Sequence, residues 1–233
     1  MTRNFANLQR GLVSLACALP LLMACAQAQG WETIHSAGNP ILADGKDYTT
    51  DPAPLVANGK LYILTGRDTA APGVNDFIMP EWQMLETEDP ASGTWRHNPH
   101  FVRPEALFKW ATPARAYAAQ IVQGPDKRYY MYAPVIEADS QNKNPFAIGL
   151  AVSDSPEGPW TDAHPSGPIV SQSYPVANNI ENIDPTVMVD DDGRVYLYWG
   201  TFGRLKAVEL EADMVTFKGK PVDATSLKGF FEA

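Results

Sequence analysis

The chain has 233 residues, with 18 Lys and Arg against 27 Asp and Glu and a net charge of −9. That acidic balance argues against nucleic acid or an anionic membrane surface as a partner, and the length suffices for one sizeable core. Both cysteines, Cys17 and Cys25, fall at the amino terminus, so the rest of the chain has no disulfide to staple it and must be held by its core alone.

Residues 1–28 read as a secretory signal peptide. Arg3 and Arg10 form a basic region, Gly11 to Ala24 is an apolar stretch too short to span a bilayer comfortably, and Ala26-Gln27-Ala28 is an A-x-A cleavage site. A second reading competes: Leu21-Leu22-Met23-Ala24-Cys25 resembles the lipobox of bacterial lipoproteins, with a lipid anchor on Cys25. Either processing route places residues 29–233 in the periplasm or outside the cell, with no transmembrane segment left and a net charge of about −11.

Beyond the leader, long helical periodicity is absent, and short strand-like runs are bounded by turn residues, which points to an all-β domain. One hairpin phrase occurs three times. The first copy runs Asp51-Pro52-Ala53-Pro54-Leu55-Val56, then Asn58-Gly59, then Lys60 to Leu64. The second runs Ala118 to Val122, then Gly124-Pro125-Asp126, then Arg128 to Tyr132. The third runs Ile183-Asp184-Pro185-Thr186 into Val187-Met188-Val189, turns at Asp190-Asp191-Asp192-Gly193, and returns as Val195 to Trp199. Both faces of that returning strand are apolar, so both are expected to be covered. Tyr62, Tyr130 and Tyr196 recur at 68 and 66 residues. A second phrase ending in an aromatic recurs between them, at Trp95, Trp160 and Phe217. Each unit then holds about four strands, the content of a propeller blade. A generic β-sandwich would leave this triple recurrence to chance. Lys228 to Ala233 looks like the approach to a fourth copy. About three blades are therefore present, and because a propeller must close its edges the chain is expected to be a fragment.

Asp51 and Asp184 head the first strands of copies one and three, each before a Pro, while copy two has Ala119 at the place taken as equivalent. First strands of propeller blades line a common axis, so the two carboxylates are expected to meet in one axial pocket, with Glu232 at the start of copy four aimed at it too. Alone, an Asp before Pro is more often an Asx-turn, and Glu232 a solvated side chain. Three convergent carboxylates match glycoside hydrolysis: a base acting on water, an acid protonating the leaving oxygen, and a third group holding that acid protonated.

The phrases Thr50-Asp51-Pro52-Ala53-Pro54, Phe146 to Trp160, Ile183-Asp184-Pro185-Thr186 with Asp191-Asp192-Gly193, and Phe230-Phe231-Glu232-Ala233 together resemble family 43 glycoside hydrolases, over about residues 38–233. The resemblance implies a five-bladed β-propeller and an inverting enzyme of the β-xylosidase, α-L-arabinofuranosidase or arabinanase type. It implies a pentose-containing oligosaccharide or polysaccharide as partner; no cofactor and no metal ligand are expected among the residues of this chain. It makes Asp51 the general base, Asp184 the residue that tunes and orients the acid, and Glu232 the general acid. Tyr117 falls near a position where an aromatic stacks on sugar, with core packing as an equal alternative. Two readings stay open beside it: a non-catalytic carbohydrate-binding propeller remnant, since the chain ends one residue after Glu232, and a retaining sucrose- or fructan-acting propeller.

Other features carry less. Asp190 to Gly193 lacks the alternating oxygen ligands of a calcium loop. His97 and His100, split by Pro99, read as a surface loop rather than a metal site. Trp82, Trp95, Trp110 and Trp160 are expected to be mostly core.

Overall fold

A computed structural model describes residues 30–36 and 38–224; the leader and Glu232 lie outside the described residues. The strands are β1 Glu32–His35, β2 Tyr48–Ala57, β3 Lys60–Asp68, β4 Trp82–Thr87, β5 Thr94–Val102, β6 Gln120–Gln123, β7 Tyr129–Ile136, β8 Phe146–Ser153, β9 Thr161–Asp162, β10 Thr186–Val189, β11 Val195–Trp199, β12 Lys206–Leu210 and β13 Val222–Asp223. The helical content among the described residues is one α-helical turn, Pro104–Leu107, and one 3-10 turn, Pro90–Ser92.

Three antiparallel sheets follow one another along the chain. Their strand orders are β1-β5-β4-β3-β2, β6-β7-β8-β9 and β10-β11-β12-β13. Each is a meander of four strands, and the first gains a fifth because β1 pairs along β5. The hairpin repeat is in register: Tyr62 faces Leu55, Tyr130 faces Val122 and Tyr196 faces Met188. Turn chemistry closes each hairpin as the sequence requires. Asn58 and Gly59 both take positive φ, and Gly193, at φ 83, donates its N–H to the Asp190 carbonyl at 2.9 Å.

Two hydrophobic clusters glue the three blades face to face. One joins Tyr62, Leu64, Trp82 and Met84 of the first blade to Tyr129, Met131, Ala133 and Val135 of the second. The other joins Tyr130, Tyr132, Ile148 and Leu150 of the second blade to Val187, Val195, Leu197 and Trp199 of the third. Alternate residues of β7 therefore enter different cores, and seven of its eight residues are buried, which hides the usual alternation of an antiparallel strand. β11 differs from expectation. Val195, Leu197 and Trp199 are buried, but Tyr196 and Tyr198 are only half-buried, because no described blade covers that face. Trp82 and Trp95 are core residues, and Trp110 and Trp160 pack against the first cluster.

The two histidines are a correction. His97 and His100 lie in β5, not in a surface loop, and His97 is buried. β5 tolerates Pro99 because its pairing with β4 jumps from Asn98 opposite Met84 to Val102 opposite Trp82, leaving Pro99 in a bulge where no ladder N–H is needed. Their partners come from far along the chain. His97 Nε2 lies 2.8 Å from Gln83 Oε1, and His100 Nδ1 lies 2.7 Å from Glu81 Oε1. The Gln83 amide nitrogen donates to the carbonyls of Tyr48 and Gly66, which leaves its oxygen to accept from His97.

A polar clasp joins the first two blades away from the axis. Glu157, in the loop after β8, approaches Tyr62 Oη at 3.5 Å and Lys60 Nζ at 3.9 Å, and Lys60 also meets the buried Glu86 at 3.2 Å. Arg96 bonds the same Glu86 oxygen. Burial, then the Glu86 carboxylate and a hydrogen bond with it, push the Glu157 carboxyl up from 4.5, against the pull of Lys60 and Arg96. A carboxyl raised on folding favours the native state below its unfolded pKa, and that contribution is lost as pH rises through its folded value. Glu157→Gln keeps the neutral form at every pH. Thermal melts from about pH 4 to about pH 7 should therefore show the variant losing less stability than wild type as pH rises; parallel curves would contradict the raised Glu157 carboxyl.

Candidate active site

The site is built from one backbone irregularity used three times. In the first blade Thr50 is opposite Gly66 and Ala53 is opposite Leu64, so Asp51 and Pro52 together face the single residue Thr65. In the second, the Tyr117 N–H donates to the Pro134 carbonyl at 3.1 Å and Gln120 pairs with Tyr132, which leaves Ala118 and Ala119 opposite Ala133. In the third, the Gly200 N–H donates to the Ile183 carbonyl at 2.9 Å and Thr186 pairs with Tyr198, which leaves Asp184 and Pro185 opposite Trp199. Each inner strand thus meets a bulge of two residues against one, after Thr50 within β2 and immediately before β6 and β10. A bulge bends its strand and re-aims a side chain, and the Pro costs no ladder bond there.

Asp51 and Asp184 both have φ 52. Asp tolerates this left-handed region better than most non-glycine residues do. The register also corrects the second copy: Ala118, not Ala119, stands where the other blades carry Asp. The hairpin of the second copy is one residue longer than that of the first, since Tyr130 faces Val122 where Tyr62 faces Leu55, so counting back from the Tyr by the first copy's distance lands on Ala119.

The bulges bring the two acids together. A cavity of about 330 Å³ is lined by residues 51–54, 118–120 and 184–186, the opening residues of all three inner strands. A second cavity of about 200 Å³ shares Asp51, Ala118 and Asp184. It extends the other way along the chain, over Tyr117, Glu181 and Ile183, to Phe77, Phe146 and Phe202. The two meet at Asp51, Ala118 and Asp184, the first lined by the residues that follow them and the second, called the mouth below, by the residues that precede them and by the connecting loops. Tyr117 meets Phe146 edge-on at 5.2 Å and lines the second cavity. Burial pushes its phenol up, with Arg115 pulling the other way.

Several groups hold the inner strands in place. Gln120 of β6 accepts the Val187 N–H of β10 through its side-chain oxygen, which fixes the second and third blades against each other next to Asp184. The Thr50 hydroxyl lies 3.0 Å from Met79 Sδ, and a Cβ on Gly66, the partner of Thr50 beside the first bulge, would stand 2.4 Å from that hydroxyl, so glycine leaves the hydroxyl its place. Buried Glu81 gathers Arg67, His100 and Arg103 at 2.7 to 3.2 Å beside Gly66.

Among the described residues, no group of three His, Cys, Asp or Glu side chains could hold a metal ion. Glu181, Phe77 and Phe202 belong to the mouth but carry no repeated motif, so the sequence reading passed over them. The one signal was Phe202-Gly203, a turn dipeptide with an aromatic where Asn is usual.

Gln120→Leu removes the acceptor for a buried N–H while keeping the volume similar. It should cost about 1–3 kcal/mol of stability in a denaturant titration, and an unchanged midpoint would show that the bond does not hold the two blades.

A family model, Glycosyl hydrolases family 43, matches residues 37–231. The chain is 34% identical over 160 residues to xylosidase/arabinosidase 43A of Humicola insolens, covering 66% of this chain and 43% of that protein. It is 31% identical over 221 residues to an arabinoxylan arabinofuranohydrolase of Paenibacillus polymyxa, covering 86% of this chain and 32% of that protein. It therefore spans less than half the length of these curated relatives. A solved α-L-arabinofuranosidase of Clostridium thermocellum superposes with a TM-score of 0.62 at 33% identity, covering 82% of this chain and 60% of the other. The three sheets are accordingly blades of a propeller of the five-bladed type. With a family match over most of its length and a propeller fold to go with it, the chain belongs to glycosyl hydrolase family 43.

Proposed function

We propose that this protein is an exported inverting glycoside hydrolase that cleaves arabinosyl or xylosyl linkages in plant polysaccharides or their oligosaccharides. The observation that carries the proposal is the shared cavity: Asp51 and Asp184, 133 positions apart in the chain, line one space at the blade axis. Two carboxylates brought to one cavity by separate blades stand where acid–base chemistry on a glycosidic bond needs them. The names of the relatives, xylosidase/arabinosidase and arabinoxylan arabinofuranohydrolase, support pentose as the sugar. The signal-like leader supports export, with lipidation at Cys25 as the alternative processing route.

The roles are those the family resemblance implies, and the meeting of Asp51 with Asp184 at one cavity supports them. Asp51 takes a proton from water as its oxygen attacks the anomeric carbon. Glu232 gives a proton to the departing glycosidic oxygen. Asp184 orients that acid and keeps it protonated until it is needed. Attack on the face opposite the leaving group inverts the anomeric centre, and Asp51 ends the cycle protonated while Glu232 ends it ionised. Tyr117 offers a ring face to the sugar at the mouth.

The test uses aryl arabinofuranoside and aryl xyloside. Wild type should release pentose, with NMR of the first product showing the inverted anomer. Asp51→Asn retains a side chain suited to left-handed backbone but has no base, so its rate should fall about 10²–10⁴-fold. An undiminished rate in the variant removes Asp51 as the base, and a retained anomer removes the inverting mechanism. Sugar binding without turnover by wild type would instead mark a carbohydrate-binding propeller.

A further inference from the structure

The surroundings of the three bulges differ in a way that follows the acids. Thr65 stands opposite Asp51 and Pro52, Trp199 opposite Asp184 and Pro185, and Ala133 opposite Ala118 and Ala119. Two positions before Asp51, Asp184 and Ala118 come Thr49, Asn182 and Ala116. The two blades that supply an acid thus carry hydrogen-bonding side chains at both places. The blade that supplies none carries alanine at both.

In the third blade the two side chains meet. The Trp199 indole N–H donates to Asn182 Oδ1 at 3.0 Å, and both residues are fully buried. An indole nitrogen only donates, so the Asn182 amide is fixed with its oxygen toward the ring. Alongside, the Gly200 N–H donates to the Ile183 carbonyl. Residues 182 and 183 are therefore tied to residues 199 and 200, directly before Asp184. Directly after the bulge, Thr186 pairs with Tyr198 and the Val187 N–H is held by Gln120. Asp184 and Pro185 span the gap between these two ties.

The ties matter because Asp184 has φ 52, a conformation that the surrounding structure must impose on a non-glycine residue. With the first tie cut, the segment is free to relax toward extended backbone and swing the carboxylate away from the axis. Packing alone does not call for this tie. A phenyl ring against Leu would bury similar surface with no polar atom to satisfy, whereas Asn182 Nδ2 is buried without a hydrogen-bond partner among the described residues. What a hydrogen bond adds is direction, since it fixes distance and angle where apolar contact does not.

We propose that Asn182 and Trp199 are a positioning pair, whose bond holds the third bulge in the conformation that aims the Asp184 carboxylate into the axial cavity. Neither residue lines the two cavities that share Asp184, so both act through it. The proposal rests on the glycosidase reading and adds the buried residues on which the placement of its second acid depends.

The test uses the full chain and the aryl pentosides, with kcat and KM measured well below the melting temperature of each variant. Asn182→Leu and Trp199→Phe should each lower kcat about 10–100-fold and leave KM nearly unchanged. The double variant should be no slower than the slower single one, because the same bond is lost in all three. In an Asp184→Asn background neither change should lower kcat further, since the group they place has already gone. Trp199→Phe keeps a ring in the core and carries the comparison if Asn182→Leu does not fold. An undiminished kcat, or an equal fall in the wild-type and Asp184→Asn backgrounds, overturns the positioning role alone. Absence of hydrolysis by wild type overturns the glycosidase reading and the positioning role with it.

Discussion

In each blade two residues of the innermost strand segment are set against one of its neighbour, and the rest of the molecule depends on that local mismatch. In an unbroken ladder, alternate side chains of a first strand would point into the flanking blade-to-blade cores. The bulge breaks this alternation and turns one residue toward the axis. Where that residue is Asp, a carboxylate arrives beside buried strands without passing through a hydrophobic core. The arrangement is costly: a left-handed non-glycine residue stores roughly 1–3 kcal/mol, and here there are two, both acidic and both on one cavity.

The cost is offset by packing around the second blade. β7 lies between two cores and is buried on both faces, so the blades on either side have a fixed plane to pack against. Finer placement comes from polar groups that reach between strands far apart in sequence: Gln120 to the Val187 backbone, and Gln83 to the Tyr48 and Gly66 carbonyls with His97 behind it. Catalytic geometry tolerates errors of only about 1 Å. Buried, fully committed side chains of this kind give such tolerance, because any displacement leaves a polar group unpaired.

Much of this was legible in the sequence. The Asp-Pro at the head of two copies, the Tyr repeat and the turn dipeptides give the blades, their register and the meeting of Asp51 with Asp184. What escaped did so for physical reasons. The hairpin turn is one residue longer in the second copy than in the first, so a count from the repeated Tyr reaches Ala119 rather than Ala118. Pro99 made β5 look like a loop, because the long bulge that accommodates a Pro is set by the partner strand. β1 is four residues long and three of them are exposed, so it has no periodicity of its own and exists by pairing with β5. Phe77, Phe202 and Glu181 sit in connections whose shape only the assembled blades define.

The account's central claim is that these bulges create one sugar-binding space bounded by two acids from different blades. A diffraction structure of crystals grown with xylotriose or arabinotriose tests it most directly. A pentose ring should lie in the axial cavity with the Asp51 and Asp184 carboxylates both within hydrogen-bonding reach of it or of one bridging water. Sugar seated elsewhere on the molecule, or the two carboxylates facing separate spaces, would contradict the account.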